Sequence, residues 1–81
     1  MNLTVRQLRY VCEVARLGSV QAASKALYIS QSSILAAITL AEGEMGARLF
    51  ERRPARGVLI TPAGERFVSA ARVMLSAATE F

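Results

Sequence analysis

The stretch SVQAASKALYISQSSILAAITL, residues 19–40, decides the fold. It contains two short segments of helical period, each opened by a serine and separated by Tyr28 and Ile29. In the first, Val20, Ala23, Ala26 and Leu27 fall at spacings that place them on one helical face, and Ser19 is the N-cap. The second begins at Ser30 and carries Ile34, Ala37, Ile38 and Ala41 at helical spacing, leaving Gln31, Ser32, Leu35, Ala36 and Thr39 on other faces. Alanines at 22, 23 and 26 let the two helices cross closely and steeply. Two short helices joined by so tight a turn make a helix-turn-helix.

Reading outward, Thr4-Val5-Arg6-Gln7 has the form of a capping box, and Leu8, Val11, Cys12 and Ala15 repeat with helical period up to Gly18. The spacing predicts a first helix over residues 5–17. The third helix, about residues 31–45, runs through Glu42 and Glu44 to Gly46, which supplies a left-handed C-terminal residue. Beyond it, residues 48–51 and 58–61 are rich in Leu, Phe, Val and Ile and bracket Arg-Arg-Pro-Ala-Arg-Gly. Two short strands around a tight loop are expected there. An arginine-bearing hairpin of this kind is a wing, able to lie along a phosphate backbone or reach a minor groove; the alternative is a solvated charged loop.

Thr61-Pro62 then opens a last helix, with Thr as N-cap and Pro at the first helical position. Gly64 occupies the place of a capping-box acid, so the cap is partial. Phe67, Ala71, Met74, Ala78 and Phe81 form a heptad-like stripe, with Val68 and Leu75 beside it. Phe67 can pack on its own domain. At about 1.5 Å per residue the later positions run past so small a body, which points to the same helix of a second copy and a two-fold contact.

The 81 residues make one small domain, 53% hydrophobic, with no apolar run long enough for a membrane span. The start lacks the charged-then-apolar order of a signal peptide, so a cytoplasmic location is expected. The net charge of +4 suits a polyanionic partner. It is unevenly placed: no Lys or Arg falls between Ala26 and Ala47, whereas Arg48, Arg52, Arg53 and Arg56 crowd together just after. One cysteine, no histidine and six scattered carboxylates leave no metal cluster, no intramolecular disulfide and no visible acid–base or nucleophilic pair. No cofactor and no enzyme activity is expected. Cys12 reads as a core thiol.

The chain resembles the N-terminal DNA-binding domain of LysR-type transcriptional regulators. The resemblance rests on Arg6-Gln7-Leu8-Arg9-Tyr10, Gly18-Ser19-Val20, Ala22-Ala23, Ile29-Ser30-Gln31-Ser32, Glu42, Gly46, Leu49-Phe50-Glu51-Arg52 and Thr61-Pro62-Ala63-Gly64-Glu65, in that order and spacing. It implies a mainly α winged helix-turn-helix, three helices plus a two-stranded wing, over residues 1–61. A linker or dimerisation helix follows over residues 62–81. It also implies a homodimer, or a tetramer of dimers, on double-stranded promoter DNA. A small-molecule inducer would act through a C-terminal effector domain that lies outside this sequence. The sequence departs from the family pattern in the reading helix: Ser32 stands where many members have Pro, Leu35 and Ala36 where Ser and a basic or polar residue are common, and Thr39-Leu40-Ala41 where two basic residues and Leu are common.

The family's base-reading positions fall on Gln31, Ser32, Ser33, Leu35 and Ala36. An amide such as that of Gln31 can bind adenine N6 and N7 together, and Ala36 or Leu35 can touch a thymine methyl. Each serine has capping as a competing role. Phosphate contacts fall on Ser19, Gln21, Lys25, Ser30 and Thr39 around the motif and on Arg52, Arg53 and Arg56 in the wing. Arg52 has a second candidate role, an ion pair with Glu42. The dimer contact falls on Phe67, Ala71, Met74, Leu75, Ala78 and Phe81. A competing class is a protein-association module, in which a third helix with exposed Leu35 and Leu40 docks a protein partner rather than a groove.

Overall fold

The computed structural model describes residues 2–79, with side chains as far as residue 77. The elements run α1 (Val5–Leu17), α2 (Val20–Leu27), α3 (Gln31–Met45), β1 (Phe50–Arg53), β2 (Gly57–Ile60) and α4 (Pro62–Thr79).

Capping fixes the helix starts. The Thr4 hydroxyl accepts from the Gln7 N–H and the Gln7 side chain accepts from the Thr4 N–H, both at 3.0 Å, closing a reciprocal box. Ser19 accepts from the Ala22 N–H at 3.1 Å and Ser30 from the Ser33 N–H at 3.2 Å. Left-handed residues end the three helices: Gly18, Tyr28 and Gly46. Tyr28, at φ 57, holds a backbone conformation that costs a side-chain-bearing residue about 1–2 kcal/mol.

The core lies where α1, α2 and α3 cross beneath the wing and the first half of α4. Leu8, Val11 and Val14 of α1, Val20 and Ala23 of α2, and Ile34, Ala37, Ile38 and Ala41 of α3 are buried, together with Leu49, Phe50, Ala63, Phe67, Val68 and Ala71. Two expectations shift. Val14 is in the core, while Cys12 and Ala15 only pack against its edge. Ala26 is exposed, because it sits off the Val20–Ala23 face and a two-turn helix has nothing to cover that side.

The hairpin is also displaced from its expected bounds. The strands are antiparallel, in the register Phe50 to Ile60, Glu51 to Leu59, Arg52 to Val58 and Arg53 to Gly57. Arg52 and Arg53 therefore belong to β1, and the tip is Pro54, Ala55 and Arg56. The Arg56 N–H donates to the Arg53 carbonyl at 3.0 Å, with Pro54 first in the turn and Ala55 at φ 61, the pattern of a type II turn.

Two glycines permit close approaches that position the wing. At Gly57, φ 77, a Cβ would overlap the Gly18 carbonyl oxygen, which also accepts from the Val58 N–H at 3.0 Å. At Gly64 a Cβ would overlap the Leu49 carbonyl, so the place of a capping-box acid is taken by packing. Thr61 caps α4 by accepting from the Gly64 N–H at 3.0 Å while its hydroxyl donates to the Arg48 carbonyl at 2.6 Å. The α1–α2 turn is thus joined to the wing, and the wing to α4.

Candidate nucleic-acid interface

An open cleft of 890 Å³ lies between the N-terminal ends of α2 and α3 and the wing. Its walls include Ser19, Gln21, Gln31, Arg52, Arg53, Pro54, Ala55, Arg56 and Gly57, and among the described residues no carboxylate lines it. Two helix N-termini and three guanidinium groups thus converge on one concavity, and both kinds of group favour an anion. Among the described residues, the ion pairs fall elsewhere: Arg16 with Glu13, and Arg48 with Glu42 at 4.0 Å. Arg52, Arg53 and Arg56 are exposed and have no carboxylate partner among those residues.

The expected Arg52–Glu42 pair is therefore corrected. One Glu42 carboxylate oxygen accepts from the Leu49 N–H at 2.8 Å and faces Arg48, so Glu42 closes the turn after α3. Arg52 lies beside it, lining both the main cleft and a 220 Å³ hollow between α3 and the wing.

The serines at the start of α3 form a cluster. The Ser30 hydroxyl lies 3.1 Å from that of Ser32 and 2.9 Å from that of Ser33 while accepting from the Ser33 N–H. Capping thus occupies Ser30, and Ser33 is tied to the cap. Ser32 and Ala36 are exposed, whereas Leu35 is half-buried against the core. The exposed Leu35 required by a protein-docking surface is not found; Leu40 does stand exposed. The Thr39 hydroxyl donates to the Leu35 carbonyl at 3.0 Å, which engages the donor a phosphate would need. Lys25 is exposed but does not line the cleft.

The α4 stripe divides. Phe67 and Ala71 are buried in the protomer's own core, a correction to their expected role, because the first half of α4 lies across α1. Leu75 packs at the edge of that core. Val73 and Met74 stand exposed. Phe81 and the side chain of Ala78 lie outside the described residues.

Cys12 sits where α1 meets α4, half-buried. Burial pushes its thiol up, an effect that Arg72 and Arg9 only partly oppose and that Glu13 adds to. A thiol so held is protonated at neutral pH and a poor nucleophile.

Sequence reasoning missed Pro54, Ala55 and Gly57 as walls of the cleft. The available signal was Pro54 three residues before Gly57, which marks a turn between strands.

The model of bacterial regulatory helix-turn-helix proteins of the lysR family matches residues 5–65. The chain belongs to this family. The HTH-type transcriptional regulator TfdS of Cupriavidus pinatubonensis is 49% identical to it over 70 residues, covering 86% of this chain and 23% of TfdS. ClcR of Pseudomonas putida is 46% identical over 70 residues, covering 86% of this chain and 24% of ClcR. The chain thus spans about a quarter of the length of these transcriptional regulators. Among solved structures, the DNA-binding domain of CbnR in complex with DNA superposes with a TM-score of 0.89 at 37% identity, covering 96% of this chain and 88% of that one. The BenM DNA-binding domain with its benA site 1 DNA gives 0.85 at 33% identity, covering 96% and 90%. The fold is a winged helix-turn-helix of this family.

Proposed function

We propose that this chain binds double-stranded promoter DNA with sequence preference, as a homodimer of a LysR-type regulator, and that it has no catalytic role. The observation that carries the reading is the carboxylate-free cleft in which Gln31, at the start of α3, faces Arg52, Arg53 and Arg56. With α3 in the major groove, the Gln31 amide, which has no hydrogen-bond partner among the described residues, meets a base edge, adenine N6 and N7 being its best match. Ser32 and Ala36 follow on the exposed side of the helix. The α2 and α3 N-termini and the wing arginines, with Gln21, hold the flanking phosphates, Arg56 at the tip being placed for a minor groove. Lys25 lies farther along the backbone path.

Helix α4, Pro62–Thr79, serves as the linker helix, with Val73 and Met74 as exposed apolar groups for a second copy. Two-fold pairing of that kind gives a symmetric pair of reading helices and an inverted-repeat site. A small-molecule inducer would act through a C-terminal effector domain rather than through these residues. No described helix is long and apolar enough to cross a membrane, and a cytoplasmic regulator fits that.

Selection from random duplexes, followed by fluorescence anisotropy at several salt concentrations, tests the reading. An inverted-repeat motif with steep salt dependence supports it. Binding that is indifferent to DNA sequence and to salt contradicts it and favours protein association.

A further inference from the structure

The outward side of α3 carries no cationic group, and its exposed carboxylate, Glu44 at the C-terminal end, accepts from the Asn2 N–H at 2.8 Å. The exposed residues at three- and four-residue spacing opposite Ile34, Ala37, Ile38 and Ala41 are Ser32, Ala36, Thr39, Leu40 and Gly43. No Lys or Arg occurs between Ala26 and Ala47, so α3 cannot make the paired arginine or lysine contact to guanine O6 and N7 that is the commonest specific contact. Its polar donors are also largely engaged: the Thr39 hydroxyl donates to the Leu35 carbonyl at 3.0 Å, and the Ser32 and Ser33 hydroxyls cluster on Ser30. With its hydroxyl held on the helix, Thr39 has its γ-methyl left for contact. Beyond Gln31, the ridge presents methyl groups on small side chains, and small side chains let the helix approach the groove floor closely.

We propose that Ala36 and Thr39, with Leu40 beside them, are specificity-determining residues that recognise the C5-methyl group of thymine in the major groove. This rests on the DNA-binding reading above. The half-site it describes is built on A·T steps: an adenine read by Gln31, then thymines read by contact with methyl groups rather than by hydrogen bonds. Specificity then resides in apolar burial, which does not depend on salt, while the wing arginines supply the salt-dependent part of the affinity.

The test takes the duplex enriched from the random library and replaces its thymines one at a time with deoxyuridine, which removes only the methyl group. Affinity for the 81-residue chain is then measured at fixed salt. One buried methyl predicts a loss of about fourfold at one or more positions. Ala36→Gly and Thr39→Ser each delete a single protein methyl, and the matching variant loses the thymine-to-uridine discrimination, its ratio falling to near one. The scan on the unaltered chain stands without either variant. Tight, salt-dependent binding in which no uridine costs as much as twofold overturns this proposal and leaves the DNA-binding reading intact. Absence of sequence-selective binding to the thymine duplex overturns both.

Discussion

Helix α3 and the wing border the same cleft and are built on opposite terms. Of the fifteen residues of α3, Ile34, Ala37, Ile38 and Ala41 lock it into the core, and its exposed ridge holds hydroxyls and methyls. The hairpin buries only Phe50, exposes three arginines, and is held close to its tip, on the β2 side, by the Gly57–Gly18 approach and the Val58 N–H bond. The difference teaches how one small domain can divide binding from discrimination. A rigid helix without cations holds base contacts to a fixed geometry, and a slender cationic ribbon follows the phosphates, where exact placement matters less.

The comparison breaks most visibly in stability. Ile34→Ala removes a fully buried anchor of α3 and is expected to cost about 2–5 kcal/mol in urea unfolding, whereas Arg53→Ala in the wing stays within about 0.5 kcal/mol. Gly57→Ala comes next. It places a methyl into the Gly18 carbonyl at φ 77, so a loss of about 1–3 kcal/mol is expected, with faster hydrogen exchange at the Val58 N–H as the tip end of the wing comes away from the α1–α2 turn. Gln31→Ala sharpens the functional side: the affinity loss is about 1–3 kcal/mol for the enriched duplex and confined to one base pair, as read by competition with single-substituted duplexes. In the other direction, Gly43→Ala adds a methyl in open space within a helix and is expected to raise stability by about 0.5–1 kcal/mol.

The smallest effect concerns pH. Because burial raises the Cys12 thiol above its ordinary 9.0, the unfolded chain ionises first as pH rises. The stability contribution of the protonated thiol is complete below about pH 9.0 and is lost above it as pH climbs toward the folded value. Unfolding curves of Cys12→Ala should decline less over that alkaline range, and the native thiol should resist alkylation at neutral pH.

Much of this was legible in the chain. Thr4, Ser19 and Ser30 start their helices and Gly18 and Gly46 end theirs because capping and left-handed residues act locally. The four buried positions of α3 followed from period alone. What failed to show was tertiary. The strand bounds slipped because the turn centres on Pro54 and on Ala55, an alanine at positive φ that sequence gives no reason to place there. Val14 replaced Cys12 in the core, and Glu42 turned to Arg48 rather than Arg52, because both outcomes depend on how elements cross. The stripe on α4 looked uniform, yet only packing against α1 decides that Phe67 and Ala71 are buried while Val73 and Met74 stay outside. At the site, Gln31 came from the family resemblance and the wing arginines from residue type and clustering. The roles of Gly57 and of the Thr39 back-bond required coordinates.

The division of labour between helix and wing is tested most directly by the salt dependence of affinity for the enriched duplex, measured for the unaltered chain and for Arg52→Gln/Arg53→Gln/Arg56→Gln. With each phosphate contact contributing a slope of about 0.9 on logarithmic axes, the account predicts a slope reduced by about 2.7 and an unchanged order of base preferences. An unchanged slope, or a variant that no longer distinguishes the enriched duplex from a scrambled one, would contradict it.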